Sequence, residues 1–293
     1  MQELKFRTEV NPFGVVYNPL SVKYSLEILL QKRKLSENDL HFNNHRWFSF
    51  YHHSSFSHPE KSSCLSNINS KINSASRFLS EAGFLFITFG TARVFTRIET
   101  GEVVSNCHKL PSSAFNRRLL TVDEIVNEYS ILLKHLSDKK PDLKVILTVS
   151  PIRHWKDGAE GNQISKSTLI LAVNQLVEMH KNVFYFPSYE IMMDDLRDYR
   201  YYADDMIHLS PVAIKYIWEK FSGLIFDTET LRLIPRIQNV LKALSHIPFD
   251  ATSKSYIKFI RKTLAEINTL EKENPFLKFT KEKARLLELP EGQ

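Results

Sequence analysis

The sequence is poor in cysteine and glycine. Its 293 residues include 2 Cys and 8 Gly, so Cys64 and Cys107 are too few to form the disulfide framework of a secreted domain. The chain contains neither a Gly-x-Gly-x-x-Gly motif nor a P-loop, which argues against dinucleotide and nucleotide chemistry. The low cysteine content predicts a reducing, cytoplasmic compartment.

Long apolar runs are also absent. No segment reaches the length of a membrane-spanning helix, and the first residues, Met-Gln-Glu-Leu-Lys-Phe-Arg, lack the apolar core of a secretory signal. The net charge is +6, but acids and bases are interleaved along the chain, as in Lys281-Glu282-Lys283. This pattern is typical of a solvated surface, so we expect neither a membrane nor a nucleic acid as partner.

Strand and helix patterns alternate through the middle of the chain. Phe84–Phe89, Val145–Val149 and Val183–Phe186 are apolar on both faces, which is typical of buried parallel strands. Thr121 and Glu124 form a capping box in front of a helix pattern. The order of strand, polar loop and helix predicts an α/β fold with a parallel sheet, whose ligands bind at the carboxyl ends of the strands.

The two ends of the chain follow other patterns. Leu4–Val10 alternates apolar with polar residues and predicts a short strand. Two amphipathic helices are predicted near Thr228–Ser245 and Ser253–Asn274, with no strand between them. We therefore predict an α/β domain over residues 1–225 and a helical extension over residues 226–293, which serves as an appendage or as an oligomer contact.

A histidine-rich stretch runs from His41 to His58. It holds five histidines among phenylalanine, tyrosine and tryptophan residues, but the histidine spacing fits no standard zinc pattern. A loop packed by its aromatic rings over a pocket is the favoured interpretation. A metal site in this stretch is a distant alternative.

The stretch from Tyr201 to Pro211 places Asp205 three residues before His208. Ser210 and Pro211 predict the start of a helix, so His208 belongs to the loop that precedes it. An aspartate that orients a histidine is half of a hydrolytic triad. The simpler interpretation is that both residues only satisfy loop hydrogen bonds, and these few residues by themselves favour it.

Several segments carry a family resemblance, and they follow one another in family order through residues 1–225. They are Asn11-Pro12-Phe13-Gly14, Tyr17-Asn18-Pro19-Leu20-Ser21, His53-Ser54-Ser55-Phe56-Ser57, Thr88-Phe89-Gly90-Thr91-Ala92, Asn106-Cys107-His108-Lys109, Val149-Ser150-Pro151-Ile152-Arg153-His154, Ser165-Lys166-Ser167 and Tyr201 to His208. Each segment is a weak signal, whereas the ordered set is a strong one. Together they resemble the GSCFA family, which is similar to the SGNH/GDSL-type hydrolases.

The resemblance implies a three-layer α/β/α sandwich of flavodoxin-like type with a parallel sheet. It also implies that His208 is the general base of an SGNH-type site and that Asp205 orients it. We expect no metal or cofactor. The residues implied to form the oxyanion hole and to bind substrate are Gly14, Asn18, Gly90, Thr91, Asn106, His108, Ser150, Arg153 and His154. Thr91 stands where many SGNH enzymes have an asparagine, and Asn106 is the candidate replacement.

The serine nucleophile expected from the resemblance is missing. The Gly-Ser-Cys-Phe-Ala block should follow the first strand, but the chain passes directly from Val10 to Asn11. The absent strand, turn and helix would need roughly 25–35 residues by ordinary element lengths. Ser63-Cys64 follows no apolar strand and is rejected as the nucleophile. Three explanations are open: a truncated or internally deleted enzyme, a homologue that only binds, or replacement of the nucleophile by Ser55, Ser57 or Ser150.

The function predicted from these features is that of an SGNH-type ester hydrolase or acyl transferase acting on an acylated small molecule or glycan. The chain is inactive as it stands if no other group replaces the serine. The alternative is a ligand-binding pseudo-hydrolase that keeps the pocket without the chemistry. A metal-dependent hydrolase built on the His41–His58 stretch is the third and most distant interpretation.

Overall fold

Two compact units make up the chain. The computed structural model describes residues 1–244 and 253–287. The larger unit is Glu9–Trp218, and the smaller unit combines Met1–Thr8 with the chain from Glu219 onward. Ser245, the predicted end of one C-terminal helix, and residues 288–293 of the predicted extension lie outside the described residues.

The strands of the described residues are all short. They are β1 (His41–Asn43), β2 (Arg46–Phe48), β3 (Phe84–Phe89), β4 (Arg93–Arg97), β5 (Val103–Val104), β6 (Phe115–Leu119), β7 (Lys144–Val149) and β8 (Val183–Phe186). The order β3-β7-β8 forms a parallel sheet, in which Phe84 lies opposite Lys144 and Phe89 opposite Val149. The predicted α/β class with a parallel sheet is confirmed.

Helices flank this sheet. The helices are α1 (Pro19–Gln31), α2 (Lys61–Glu81), α3 (Val122–Lys139), α4 (Gly158–Met179), α5 (Ser188–Glu190), α6 (Pro211–Ile225), α7 (Thr228–Leu244), α8 (Lys254–Glu273) and α9 (Thr280–Leu287). Apolar residues of α1, α3 and α4 share one core with the three parallel strands, where each buried leucine or valine contributes about 1.5–3 kcal/mol. This arrangement is compatible with a three-layer α/β/α sandwich. None of the helices in the described ranges is both long and apolar enough to cross a bilayer.

β3 is the edge strand of the parallel sheet. The Lys144 N–H donates to Gly83 O at 3.0 Å, and the Ser150 N–H donates to Phe89 O at 2.8 Å. Backbone groups of successive strand residues point alternately to the two sides of the strand, so those of Phe84 point away from β7. The Phe84 side chain is 47% exposed. A further strand added at this edge would therefore meet aligned backbone groups and an apolar side chain.

Two antiparallel sheets, the β1-β2 hairpin and the order β5-β4-β6, are absent from the sequence prediction. The hairpin lies within the histidine-rich stretch, where Trp47 also pairs with His58. In β4 and β6, arginines interrupt the apolar residues, so that neither strand has the apolar run or the clear alternation that predicts a strand.

The smaller unit is helical in its described residues. Leu4 packs against the apolar core shared by α7, α8 and α9, and the ring of Phe6 stacks on that of Phe226 at 5.0 Å. The predicted strand at Leu4–Val10 is therefore wrong, because its apolar side chains pack against helices. A short 3-10 helix, Gln2–Leu4, precedes an irregular segment instead.

Helix α4 begins earlier than its sequence pattern predicts. Gly158 and Gly161 predict a loop, with a helix from Ser165, yet α4 begins at Gly158. Asp157, which precedes the helix, forms ion pairs with Arg93 and Arg117. These contacts hold the first turn in place and offset the cost of about 1 kcal/mol that a glycine brings to a helix.

Candidate functional site

The Asp205–His208 pair lies in the loop that precedes α6. Nδ1 of His208 is 2.5 Å from Oδ2 of Asp205. The second carboxylate oxygen, Oδ1, accepts the backbone N–H groups of Ile207 at 2.9 Å and of His208 at 2.8 Å. The hydrogen bond from the His208 ring, followed by these backbone bonds, lowers the pKa of the Asp205 carboxyl to about 2. The carboxyl is therefore ionised near neutral pH.

This contact determines where the histidine ring carries its proton. An ionised carboxylate only accepts hydrogen bonds, so Nδ1 of His208 is protonated and donates to Asp205. In the neutral ring, Nε2 then presents a lone pair, as a general base oriented by an acid does. The side chain of His208 is 62% exposed and that of Asp205 is 47% exposed, so a ligand can reach Nε2.

Backbone pairing closes the loop that carries the two residues. Tyr202 and Leu209 form an antiparallel bridge, and the Ala203 N–H donates to His208 O at 2.8 Å. Met206 at the tip has a φ of 59°, in the left-handed region that residues other than glycine adopt uncommonly. The base of the loop is thus a short two-stranded turn that presents His208 at its edge.

Arg153 joins the loop after β7 to the loop of the Asp205–His208 pair. Its guanidinium carbon is 4.2 Å from the centre of the Tyr202 ring, and Tyr202 lies at the base of the loop that carries His208. The sequence predicts only that both loops lie at the same edge of the sheet. The structure brings Arg153 into contact with the base of the second loop.

His154 lies where the loop after β7 meets the loop after β3. Its ring is edge-on to the ring of Tyr17 at 5.9 Å, and a methyl group on Gly90 would lie 3.3 Å from its Nε2. Burial, with the Lys166 ammonium acting in the same direction, lowers the pKa of the imidazole. Gly90 therefore allows the two loops to approach each other closely.

Lys166 bridges the same two loops from beneath. Its ammonium donates to Gly90 O at 2.6 Å and to Ser150 O at 2.6 Å, and the side chain is fully buried. Burial lowers the pKa of this ammonium to about 7, because a charge loses its hydration in the protein interior. The carboxyl ends of β3 and β7 are thus tied together by one lysine of α4.

Ser165, the neighbour of Lys166, holds the next residues of the loop after β3. Its hydroxyl accepts the Ala92 N–H at 2.8 Å and lies 3.1 Å from the Thr91 hydroxyl. The sequence prediction does not include Ser165 and Lys166 among the site residues. The signal that could have found them is a lysine on the apolar face of a helix, three residues before the buried Leu169.

The backbone donors expected at an oxyanion hole already have acceptors. The Gly14 N–H donates to Asn11 O at 2.7 Å, and Tyr17 O accepts both the Gly90 N–H at 2.7 Å and the Thr91 N–H at 3.2 Å. The role of Gly14, Gly90 and Thr91 in an oxyanion hole stays a prediction. It would require their N–H groups to give up their present backbone acceptors for the oxyanion.

Gly14 occupies a position that tolerates no side chain. Its φ is +78°, and a Cβ there would lie 2.2 Å from the Cβ of His53. We expect Gly14→Ala to lower the free energy of unfolding by roughly 2–5 kcal/mol, through backbone strain and overpacking. Urea denaturation measures this loss. Gly83→Ala is the matched control, because nothing lies within 4 Å of its Cβ position, and equal stability of the two variants would contradict the expectation.

Asn18 and Ser150 support local backbone. Oδ1 of Asn18 accepts the Ser21 N–H at 2.9 Å and thereby caps α1, and the residue is buried. The Ser150 hydroxyl accepts the Ile152 N–H at 3.2 Å. Both residues thus shape the loops that border the site, while their predicted contact with substrate stays a prediction.

Asn106 and His108 pack beside the histidine-rich stretch. The His108 ring stacks on Phe48 at 4.1 Å, and its Nε2 lies 3.0 Å from Ser49 O. Asn106 accepts the His108 N–H at 2.8 Å. Burial lowers the pKa of His108 to about 4. Within the described ranges, no hydrogen bond, ion pair or ring contact joins these two residues to His208.

Two histidines of the stretch from His41 to His58, His41 and His52, pack against aromatic rings. His52 is fully buried and stacks on Phe13 at 4.5 Å, and burial lowers the pKa of its imidazole to about 3. No three metal-ligating side chains cluster together among the described residues. These rings therefore serve as packing in the structure, as the aromatic-loop interpretation predicts.

Two family models match the sequence. One, described as the GSCFA family, covers residues 1–221, and the other, described as the C-terminal domain of GSCFA domain proteins, covers residues 237–289. The chain belongs to the GSCFA family. The resemblance drawn from the ordered motifs is therefore confirmed. No curated protein and no solved structure matches the chain.

The serines considered as replacement nucleophiles have other partners in this GSCFA chain. The Ser55 hydroxyl lies 3.1 Å from Nδ1 of His53, Ser57 is buried, and Ser150 accepts a backbone N–H. In the part of the chain that the structure describes, no serine hydroxyl is hydrogen-bonded to the His208 ring. The base of the predicted triad is thus present without a bonded nucleophile.

Proposed function

We propose that this GSCFA chain is an SGNH-type ester hydrolase or acyl transferase in which His208 is the general base and Asp205 orients it. The substrate class is an acylated small molecule or glycan. The observation that carries the proposal is the 2.5 Å contact between Nδ1 of His208 and Oδ2 of Asp205. It leaves Nε2 accessible to a ligand, because the His208 side chain is exposed.

The chemistry then follows from the accessible nitrogen. Nε2 of His208 would take a proton from a water or an alcohol as its oxygen attacks the ester carbonyl. The protonated ring, stabilised by the Asp205 carboxylate, would return that proton to the departing alkoxide. Without a serine bonded to His208, the acceptor attacks directly and no acyl-enzyme forms, so we expect a slow reaction.

His208→Gln is expected to lower the hydrolysis of p-nitrophenyl acetate by about 100-fold, since a positioned base contributes about that factor or more. Asp205→Asn should lower the rate as well, because an amide no longer fixes the proton on Nδ1. The measurement is the initial rate of hydrolysis by the purified chain, followed by the absorbance of the released p-nitrophenolate.

Surface imidazoles also hydrolyse activated esters, so a matched control is needed. His45 is an exposed histidine, and His45→Gln should keep the rate of the parent chain. Equal rates for His208→Gln and the parent chain would exclude His208 as the base. A loss of the same size in His45→Gln would assign the rate to unspecific surface chemistry.

A ligand-binding protein without catalysis is the second candidate. The observation that favours it is the occupation of the Gly14, Gly90 and Thr91 N–H groups by backbone acceptors, because an oxyanion hole needs donors aimed at the developing charge. Saturable binding of an ester or its acid product, with a hydrolysis rate equal to that of His208→Gln, would support this candidate over the enzyme.

A further inference from the structure

Arg153 is surrounded by aromatic rings. Its guanidinium carbon lies 4.2 Å from the ring centre of Tyr202, 5.4 Å from that of Trp155 and 5.8 Å from that of Tyr199. Trp155 is 44% exposed and Tyr199 is 66% exposed. The guanidinium is thus held in one place by rings, while the flanking rings stay open to solvent.

Among the residues that the structure describes, Arg153 has no acidic partner. In the described ranges no aspartate or glutamate lies within ion-pair distance of Arg153, whereas Arg97, which stacks on Phe50 at 4.6 Å, pairs with Glu99 at 2.7 Å. A guanidinium presents a planar fork of N–H donors that matches a carboxylate or a phosphate. In Arg153 that fork contacts the Tyr202 side chain, and no carboxylate of the described residues occupies it.

Cationic side chains act on His154, the neighbour of Arg153: besides burial, Lys166 and Arg117 lower the pKa of its imidazole. Asp157 is the carboxylate of the adjoining turn, and it is shared by Arg93 and Arg117. The buried Lys166 lies close enough to influence the ring of His154. An anion entering at this edge of the sheet would therefore meet other cationic side chains besides the guanidinium of Arg153.

Arg153 is also tied to the proposed catalytic loop. The ring on which it stacks, Tyr202, is bridged to Leu209, the residue that follows His208. A group bound by the guanidinium would thus lie beside the base of the loop that presents the imidazole.

We propose that Arg153, held by Tyr199, Tyr202 and Trp155, is a binding site for an anionic group, a carboxylate or a phosphate, and that the ligand of this chain is an ester that carries such a group. The claim that the ligand is an ester rests on the function proposed above. The claim that an anion binds does not rest on it, because binding can be measured without turnover.

The test is a titration of the full chain with sodium phosphate and with sodium acetate, at constant ionic strength maintained with sodium chloride. Calorimetry gives the affinity, and the fluorescence of Trp155, assigned by its loss in Trp155→Phe, reports the location. We expect saturable binding of at least one anion. Arg153→Gln should weaken anion binding about tenfold or more, because it removes at least one charge-assisted hydrogen bond. The anion that binds more tightly identifies the group.

Arg97→Gln is the matched control, because it removes a ring-stacked arginine that already has carboxylate partners. It should bind as the parent chain does, and Arg153→Lys, which keeps the charge but not the fork, should lie between. Absence of saturable binding up to about 100 mM of either anion would overturn the proposal. So would affinities of Arg153→Gln and Arg153→Lys that both equal the parent value.

The outcome for the anion site is separate from the outcome for the enzyme. If phosphate or acetate binds through Arg153 while His208→Gln leaves ester hydrolysis unchanged, the anion site stands and the hydrolase does not. If hydrolysis depends on His208 while neither anion binds, the hydrolase stands and its substrate carries no anion at this position.

Discussion

Inserting the strand, Gly-Ser-Cys-Phe-Ala turn and helix of another GSCFA protein between Val10 and Asn11 is expected to produce a chain that a serine-directed fluorophosphonate labels once. The parent chain should remain unlabelled, because no serine hydroxyl of its described residues is hydrogen-bonded to His208. The rate of ester hydrolysis should rise by about 1,000-fold, because a nucleophile and its base acting together provide a rate enhancement of that order.

The structure offers a place for the inserted strand. β3 is the edge of the parallel sheet, with the backbone groups of Phe84 directed away from β7 and its side chain 47% exposed. The insertion point is at the surface as well, where Val10 is 51% exposed. A strand paired at this edge would end on the same side as the loops after β3 and β7, because parallel strands share their carboxyl edge.

Two controls separate a restored site from nonspecific labelling. The insertion with Ala in place of the serine of the block should not be labelled. The insertion combined with His208→Ala should lose most of the labelling rate, because the serine is a weak nucleophile without its base. A labelling rate that does not depend on His208 would show that the insertion does not bring serine and base together.

Lys166→Met is expected to change how stability depends on pH. The folded parent chain holds this ammonium with a pKa of about 7, against 10.5 for an exposed lysine. Between these values the unfolded chain binds a proton that the folded chain does not, so the stability of the parent chain rises with pH across that window. The full difference amounts to roughly 5 kcal/mol at about 1.4 kcal/mol per pKa unit. Lys166→Met should lack this part of the slope.

The same substitution removes two hydrogen bonds. Gly90 O and Ser150 O each accept from Lys166 at 2.6 Å, and a buried carbonyl left without a donor costs about 1–3 kcal/mol. At a pH above about 9, Lys166→Met should therefore be several kcal/mol less stable than the parent chain. Below about pH 7 the difference should shrink or reverse, since the buried charge penalises only the parent chain.

Urea denaturation at a series of pH values measures both effects. Lys140→Met is the matched control, because Lys140 also donates to a backbone carbonyl, Ser80 O, at 2.7 Å, but lies at the surface. Its difference from the parent chain should not change with pH across this window. A constant difference between Lys166→Met and the parent chain from pH 6 to pH 10 would show that the buried amine keeps its ordinary titration.

Features that depend on one segment could be predicted from the sequence. The apolar runs of β3, β7 and β8 predicted parallel strands, and the capping box of Thr121 and Glu124 predicted the start of α3. The spacing of Asp205 and His208 brings their side chains together within one loop. In each case the interacting groups are neighbours along the chain, so a short pattern contains the whole interaction.

Features that join distant segments needed the tertiary structure. Lys166 reaches Gly90, 76 residues away, and the alternation of Leu4–Val10 indicated a strand although Leu4 packs against the C-terminal helices. A hydrophobic pattern indicates which face of a helix or strand is buried, but it does not indicate which other element packs against that face. The family and the parallel sheet were therefore determined by sequence, whereas the lysine bridge, the ring-held arginine and the occupied backbone donors were decided by the packing of the loops against one another.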